Sequence, residues 1–493
     1  LPGETLTPGA SPGKSGTPDS QASGSSFGGL RVYATDQRWN PVESGPYPDI
    51  TWSCDDGDPG VVLPPAAVMG DNPETSYALT LIRTGTTRVT ATASGAVAAT
   101  SRSDVPINPQ SLHHFDFDTS IWDPDDTQVT TIPFNIRVTA RDANGNLVPI
   151  NSAASLRGRV GAVDEHADYI ISSNNQFVNG QLDAMVQFTK RGHETYIIVD
   201  AGVVSASPAF QVNPGPCEKI LLTFPGQEWV YGLNDESFSG NNGIPTPVTA
   251  GDVIDPVIIR PVDRYNNLAP GTRNVTLSCP TGYFQLPDHP SNVVQVGSPT
   301  SVRMILRTAS SDQVVRAQSS GLDPNESGQV SVSPAGWQRL VVQAPGETLA
   351  PGIFDSIEDD GKLGDPGTQD AGVPFNTRVF ATDQYWNPVS DGSPALPMNI
   401  DFASSDPEAV LPSNPQQLND NLGDFQVSLV TLADPNRQTV EVTDRLTGRS
   451  AFTTIPVRAG VIDHFDIGIN NHSNPTPADV LEPIPDHRAG SSL

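Results

Sequence analysis

The sequence repeats itself, and that repetition limits the possible folds more sharply than any single motif does. Val32–Val42 (VYATDQRWNPV) returns as Val379–Val389 (VFATDQYWNPV), and Pro2–Leu6 (PGETL) returns as Pro345–Leu349. Two more divergent copies lie between them, at Ile136–Val148 (IRVTARDANGNLV) and Val257–Leu268 (VIIRPVDRYNNL). All four close on Asp-x-x-x-Asn: Asp36 and Asn40, Asp142 and Asn146, Asp263 and Asn267, Asp383 and Asn387. The copies follow at intervals of about 100–120 residues, the size of a small sandwich domain. One blueprint copied four times along the chain is the expectation.

Within a copy the apolar residues alternate. Phe134, Ile136, Val138 and Ala140 interleave with Asn135, Arg137, Thr139 and Arg141, the pattern of a strand with one buried face. Met185–Thr189 with Thr195–Val199, and Phe425–Val430 with Thr439–Val442, read as hairpins. Asp255-Pro256 and Pro261 inside the third copy predict an edge or bulged strand. Helical periodicity is nearly absent. These signals predict an all-β protein of tandem immunoglobulin-like antiparallel β-sandwiches arranged as an elongated rod. The expected units are 1–111, lacking its opening strand, then 112–216, 217–337 and 338–460, with 461–493 as the opening strand of a further unit or an assembly tail.

Pro133–Val148 and Pro374–Val389 resemble the strand-and-turn signature PFxVxVxAxDxxxNxV of the bacterial immunoglobulin-like repeats of large secreted and cell-surface proteins. The resemblance implies an extracellular or cell-surface location. Leu112–Phe117, Lys219–Phe224 and Arg339–Gln343 open the later units, and the first has no such strand. Val461–Ile467 resembles Leu112–Phe117. Two expectations follow: the chain is a window on a longer repeat polypeptide, or the 461–467 strand completes the open sandwich of a neighbouring copy by donor-strand exchange.

Charge narrows the partners. With 27 Lys+Arg against 56 Asp+Glu the net charge is −29, so nucleic acid, itself a polyanion, is excluded as a partner. No apolar run reaches the length of a membrane-spanning helix, and Leu1–Ser20 has no apolar stretch of the signal-peptide kind. The three cysteines are too few for a disulfide scaffold or a cysteine-rich metal site; Cys217 and Cys279 fall in one unit and are a possible disulfide, with Cys54 left over.

Catalytic motifs fail on context. Gly24–Gly28 (GSSFG) matches G-x-S-x-G, but a strand follows where a nucleophile elbow needs a helix. Gly9–Ser15 (GASPGKS) is one residue short of a phosphate loop, which leaves Lys14 as a solvated turn residue. His113-His114 lacks further metal ligands. Calcium is the one cofactor to weigh: Asp142, Asn144 and Asn146 carry the i, i+2, i+4 spacing of a calcium loop. Leu147 stands where that loop needs Gly, and Ala153 where it needs Glu. No cofactor is required, and the favoured reading of all four corners is an Asx-type turn in which Asp accepts backbone N–H bonds and Asn adopts a left-handed backbone. Asp55, Asp56 and Asp58, and Glu358, Asp359, Asp360 and Asp365, are further acidic groups with either solvent or calcium as partner. Trp39 and Trp386 stand at matching positions, suited to packing between units or to a sugar face. The expected function is a non-enzymatic structural protein, a repeat element of a surface fibre, filament, sheath or surface layer, whose partners are copies of itself or neighbouring units. The alternative is an adhesin stalk, or glycan- or ligand-binding modules attached to a domain elsewhere.

Overall fold

The alternation at Phe134–Arg141 puts Ile136, Val138 and Ala140 on one face, and burying that face builds the second unit. We describe the architecture from a computed structural model, which describes residues 1–68, 74–95, 99–235, 237–353, 360–389, 398–418, 422–432, 437–461, 468–469 and 482–483. Phe134–Arg141 lies between His114–Phe117 and Gln181–Phe188, with Ile170–Ser172 on the outer edge. A second sheet runs in the order Gln128–Val129, Phe210–Asn213, Gly192–Asp200, Ser155–Val160 and Asp164–His166. The inner faces meet in an aromatic core where Phe188 sits edge-on to Phe210 at 5.2 Å and Trp122 edge-on to Phe210 at 4.8 Å.

The same plan is repeated. In the fourth unit one sheet is Arg339–Gln343, Phe375–Thr382 and Leu422–Val427, and the other is Gln369–Asp370, Ser450–Arg458, Arg437–Asp444, Met398–Ser404 and Gln416–Leu418. Each unit has a two-residue strand running parallel to its last strand, Gln21 beside Ile107, Gln128 beside Val212, Val248 beside Val332 and Gln369 beside Val457. That parallel pair, in otherwise antiparallel sheets, marks an immunoglobulin-type sandwich in which the first strand switches from one sheet to the other. The chain is a series of these sandwiches. Among the described residues there is no α-helix, and none is long and apolar enough to cross a membrane.

Two expectations change, and a third is narrowed to one of its alternatives. The paired segments around 190 and 433 are not hairpins: Gln181–Phe188 hydrogen-bonds into one sheet and Gly192–Asp200 into the other, and Leu422–Val427 and Arg437–Asp444 divide in the same way. Each of these strands needs a buried face, and two sheets facing one another bury both faces where a single hairpin buries one. Val253–Val262 is bulged between Ile254 and Val257 but is not an edge, since Lys219–Thr223 and Thr300–Leu306 flank it. Cys217 and Cys279 are unpaired, as is Cys54. Cys217 Sγ turns to the Lys219 carbonyl at 3.6 Å while Cys279 Sγ turns to Gln313 Oε1 at 3.2 Å, so the two sulfurs serve different bonds.

The first unit differs at one edge. Ser26–Tyr33 pairs with Glu74–Thr80 and, among the described residues, with no strand on its other side. Of the 461–467 segment only Val461 is described, and it is exposed; 462–467 lies outside the described residues.

Candidate functional site

The repeated Asp-x-x-x-Asn corner is a tight loop at the end of the long strand of each sandwich. Asp N–H donates to the Asn carbonyl at 2.9 Å in all four copies, and the residue before Asn donates back to the Asp carbonyl at 3.0–3.3 Å. Asp Oδ1 accepts from the backbone N–H two and four residues on, at 2.8–3.0 Å. The left-handed residue is the one before Asn rather than Asn itself: Trp39, Gly145, Asn266 and Trp386 have φ of 65°, 80°, 64° and 65°. This is the three-residue hairpin in which a type I turn is closed by a left-handed residue.

The corner then reaches the preceding sandwich. Asn146 Nδ2 donates to the Ile82 carbonyl at 2.9 Å while its Oδ1 accepts from Thr84 N–H at 3.1 Å. Asn267 holds the Thr189 carbonyl at 2.8 Å and Arg191 N–H at 3.0 Å. Asn387 holds the Arg307 carbonyl at 2.8 Å and Ala309 N–H at 2.7 Å. In each case one carboxamide grips a carbonyl and an N–H two residues apart. The gripped loop at Thr189–Arg191 is the sheet-to-sheet crossing that the sequence suggested was a hairpin turn.

The second Asp oxygen fastens the linker. Oδ2 of Asp142, Asp263 and Asp383 accepts from Gln110, Gly215 and Ala335 N–H at 3.0, 2.9 and 2.9 Å. Thr130 Oγ1 adds a further bond to Asp263 at 2.6 Å. Asp263, Asn267, Asp383 and Asn387 are fully buried. Burial alone would raise the Asp142 pKa, but the N–H groups of Asn146, Gln110 and Asn144 together hold it below the ordinary value of 3.8. The third corner residue completes the seal: Asn144 Nδ2 donates to Ser23 Oγ at 2.9 Å, and Tyr265 accepts from Gln187 Nε2 at 2.9 Å.

This arrangement does not suit a cation. Both Asp142 oxygens already accept N–H donors, and Asn144 and Asn146 point amide nitrogens at Ser23. The other acidic groups behave similarly where described: Asp56 accepts from Ile82 and Arg83 N–H at 2.7 and 3.1 Å, Asp55 from Arg88 at 2.7 Å, Asp58 from Gly60 at 2.8 Å, and Asp360 pairs with Lys362 at 3.3 Å. Glu358 and Asp359 lie outside the described residues.

A second feature is the PGETL repeat, which the sequence showed as a repeat without showing the partner of its glutamate. Glu4 pairs with Lys14 at 2.8 Å and Glu347 with Lys362 at 2.9 Å, the latter pair almost wholly buried, within short arm hairpins formed by Glu4–Leu6 with Lys14–Gly16 and Thr348–Leu349 with Lys362–Leu363; Ser103 and Thr453 hydroxyls, donating to the two glutamates at 2.8 and 3.0 Å, tie each arm to its sandwich. Lys14 is therefore ion-paired rather than solvated. The third unit replaces the charges with amides: Gln227 Oε1 accepts from Phe224 N–H at 3.0 Å, and Asn241 Nδ2 donates to the Leu222 carbonyl at 2.7 Å. The arm also holds the corner, since Gly9, Gly232 and Gly352 N–H donate to the carbonyls of Arg38, Tyr265 and Tyr385 at 2.6–2.7 Å. Trp386 is 5 % exposed under Val341, Leu349 and the Arg339 guanidinium, 4.3 Å above its ring; Trp39 is 38 % exposed. Two lysines at matching places in a chain with only four were the available signal.

No family model matches this chain, and no curated protein does. Among solved structures it is similar to invasin, a bacterial integrin-binding protein, at 13 % identity over 90 % of this chain and 78 % of that one, with a TM-score of 0.26. It is similar to the surface layer protein SbsC, domains 1–6, at 14 % identity over 90 % and 54 %, with a TM-score of 0.18. It is also similar to the Escherichia coli adhesin FdeC, at 14 % identity over 71 % and 100 %, with a TM-score of 0.21.

Proposed function

We propose that the chain is a structural, non-enzymatic element of an extracellular or cell-surface assembly, a semi-rigid spacer whose four sandwiches, residues 1–111, 112–216, 217–337 and 338–460, are held in fixed succession by the Asp–Asn corners. The observation that carries this reading is the threefold recurrence of one joint: the same carboxamide grips the same loop, and the same carboxylate grips the linker. Linkers that were merely short would restrict reach; side chains that bond both the linker and the neighbouring sandwich restrict angle. Each joint spends three or more side-chain bonds on geometry, which serves a stalk or lattice and does nothing for chemistry.

Small-angle scattering of the full chain tests it. The wild type is expected to scatter as one elongated particle of defined maximum dimension, and the triple variant Asn146→Ala, Asn267→Ala, Asn387→Ala as a flexible string of intact domains. A triple variant with the wild-type distance distribution would remove the basis for the proposal.

A further inference from the structure

The three joints share one corner but differ in what surrounds it. The arm of the third sandwich, Gln227–Trp229 paired with Asn241–Gly243, reaches back to the second sandwich. Thr189 Oγ1 lies 2.6 Å from the Gly232 carbonyl and 2.8 Å from the Asp168 carbonyl, and Asn234 N–H donates to the Asp168 carbonyl at 3.0 Å. A Cβ added at Gly232 would strike Lys190. Cations and rings form a ladder across the same boundary. The Lys190 ammonium donates to Tyr169 Oη at 2.7 Å and lies 5.3 Å from the centre of the Tyr231 ring. Tyr231 stacks on Trp229 at 4.6 Å, and the Arg260 guanidinium stands 4.7 Å from Trp229.

The arm of the fourth sandwich approaches the third as closely. Thr308 Oγ1 donates to the Pro351 carbonyl at 3.4 Å, and a Cβ added at Gly352 would strike Thr308. Beside it Tyr385 packs on the core of the third sandwich, where a Cβ added at Gly251 would strike its ring.

Among the described residues the second sandwich has no arm. Residues 118–127, between His114–Phe117 and Gln128–Val129, form turns that send Trp122 into their own sandwich, 4 % exposed. Its corner carries Asn144 where the third and fourth carry Tyr265 and Tyr385. The contacts around the first corner are polar: Asn144 and Asn146 donate to Ser23 Oγ at 2.9 and 2.8 Å, and Gln110 Nε2 to the Ser23 carbonyl at 2.5 Å. Asn144 is exposed and Asn146 half-buried, whereas Asn267 and Asn387 are fully buried. Water competes for hydrogen bonds so placed, and domains joined without a substantial apolar contact move against one another.

We propose that the first joint is the hinge of the molecule: bending concentrates between the first and second sandwiches, while the arms hold the second, third and fourth as one body. This rests on the reading of the corners as joints. The corner alone sets a preferred angle at the first joint; arm and ladder narrow the range of angles at the second, and arm and Tyr385 at the third.

Distance distributions between paired spin labels on the full chain, measured by double electron–electron resonance, test the proposal. The three free thiols are removed by Cys54→Ala, Cys217→Ala and Cys279→Ala, and labels go on exposed positions, one per sandwich, as Val62→Cys, Met185→Cys, Val293→Cys and Phe452→Cys, taken in neighbouring pairs. The distribution across the first joint is expected to be about twice as wide as across either of the others. Tyr231→Ala, which cuts the ladder, should widen the distribution across the second joint and leave the first as it was. A first joint no wider than the other two overturns the hinge, and a second joint that Tyr231→Ala does not widen overturns the ladder as its brace. Three narrow distributions leave the spacer reading standing without a hinge; three equally wide ones refute the spacer reading beneath it.

Discussion

Asparagine at the fifth corner position does what its isosteres aspartate and leucine cannot do. Its carboxamide offers one acceptor and one donor pair, so it answers a carbonyl and an N–H together; aspartate has only acceptors and leucine has neither. Asn267 is fully buried and bonds the Thr189 carbonyl, Arg191 N–H and Asp263 at once. Asn267→Ala leaves two buried backbone groups unsatisfied, an expected cost of about 1–3 kcal/mol. Asn267→Asp should cost more, because it sets a second carboxylate against Asp263 and against a carbonyl. Amide hydrogen exchange at Arg191 checks both: the rate rises in the alanine variant and rises further in the aspartate variant, with core amides such as Val199 unchanged. An aspartate variant as well protected as the wild type would show that the amide donor is unimportant. The left-handed residue before Asn carries a conformational cost of about 1–3 kcal/mol when it is not glycine. Trp386 is held there by packing under Arg339 and Val341.

At the scale of elements, the arm hairpins show one piece of structure built with two chemistries. Glu347 and Lys362 sit almost wholly buried against each other, with Ala344 N–H at 2.7 Å and Thr453 Oγ1 at 3.0 Å completing the carboxylate. Gln227 and Asn241 do the same work without charge. Glu347→Ala alone leaves the buried Lys362 ammonium with only the exposed Asp360 carboxylate, 3.3 Å away, and is expected to cost up to about 3–5 kcal/mol, while the double change Glu347→Gln, Lys362→Asn copies the third unit and should recover most of it. Thermal unfolding of the wild type and these two variants decides; a double variant as unstable as the single one would mean the two arms are not equivalent. The strands themselves were legible in the sequence, because period-two alternation at Phe134–Arg141 and its copies follows directly from a half-buried sheet. The sheet each strand joins was not. Gln181–Phe188 and Gly192–Asp200 alternate equally well as a hairpin or as strands of opposite sheets, and only the three-dimensional closure of the sandwich decides. The corner's inner half, Asp bonding its own turn, was legible for the same local reason. Its outer half was hidden, because the partners of Asn146, Asn267 and Asn387 are backbone groups about 60–80 residues away, and backbone carries no sequence signal.

For the whole molecule, a net charge of −29 and a set of carboxylates that the fold keeps ionised pull stability in opposite directions as pH falls. Asp142 and Asp406 are both held below the ordinary 3.8, burial being outweighed in Asp142 by backbone N–H bonds and in Asp406 by the Thr431 hydroxyl and backbone N–H groups. A folded-state pKa below the unfolded one means that these groups stabilise the fold fully above about pH 4 and lose that contribution as pH drops through their lowered values. Protonation of carboxylates as pH falls also lowers the net negative charge and relieves self-repulsion. Apparent melting temperature is therefore expected to hold or rise slightly from pH 7 to about 5 and to fall steeply below about 3.5. Added salt at pH 7 should raise it by screening the same repulsion, and should do little at pH 4, where less charge remains. Calorimetry across this grid tests the balance. A melting temperature that climbs continuously down to pH 3 would mean repulsion outweighs the carboxylate bonds, and the Asp side of the joints would then contribute geometry without stability.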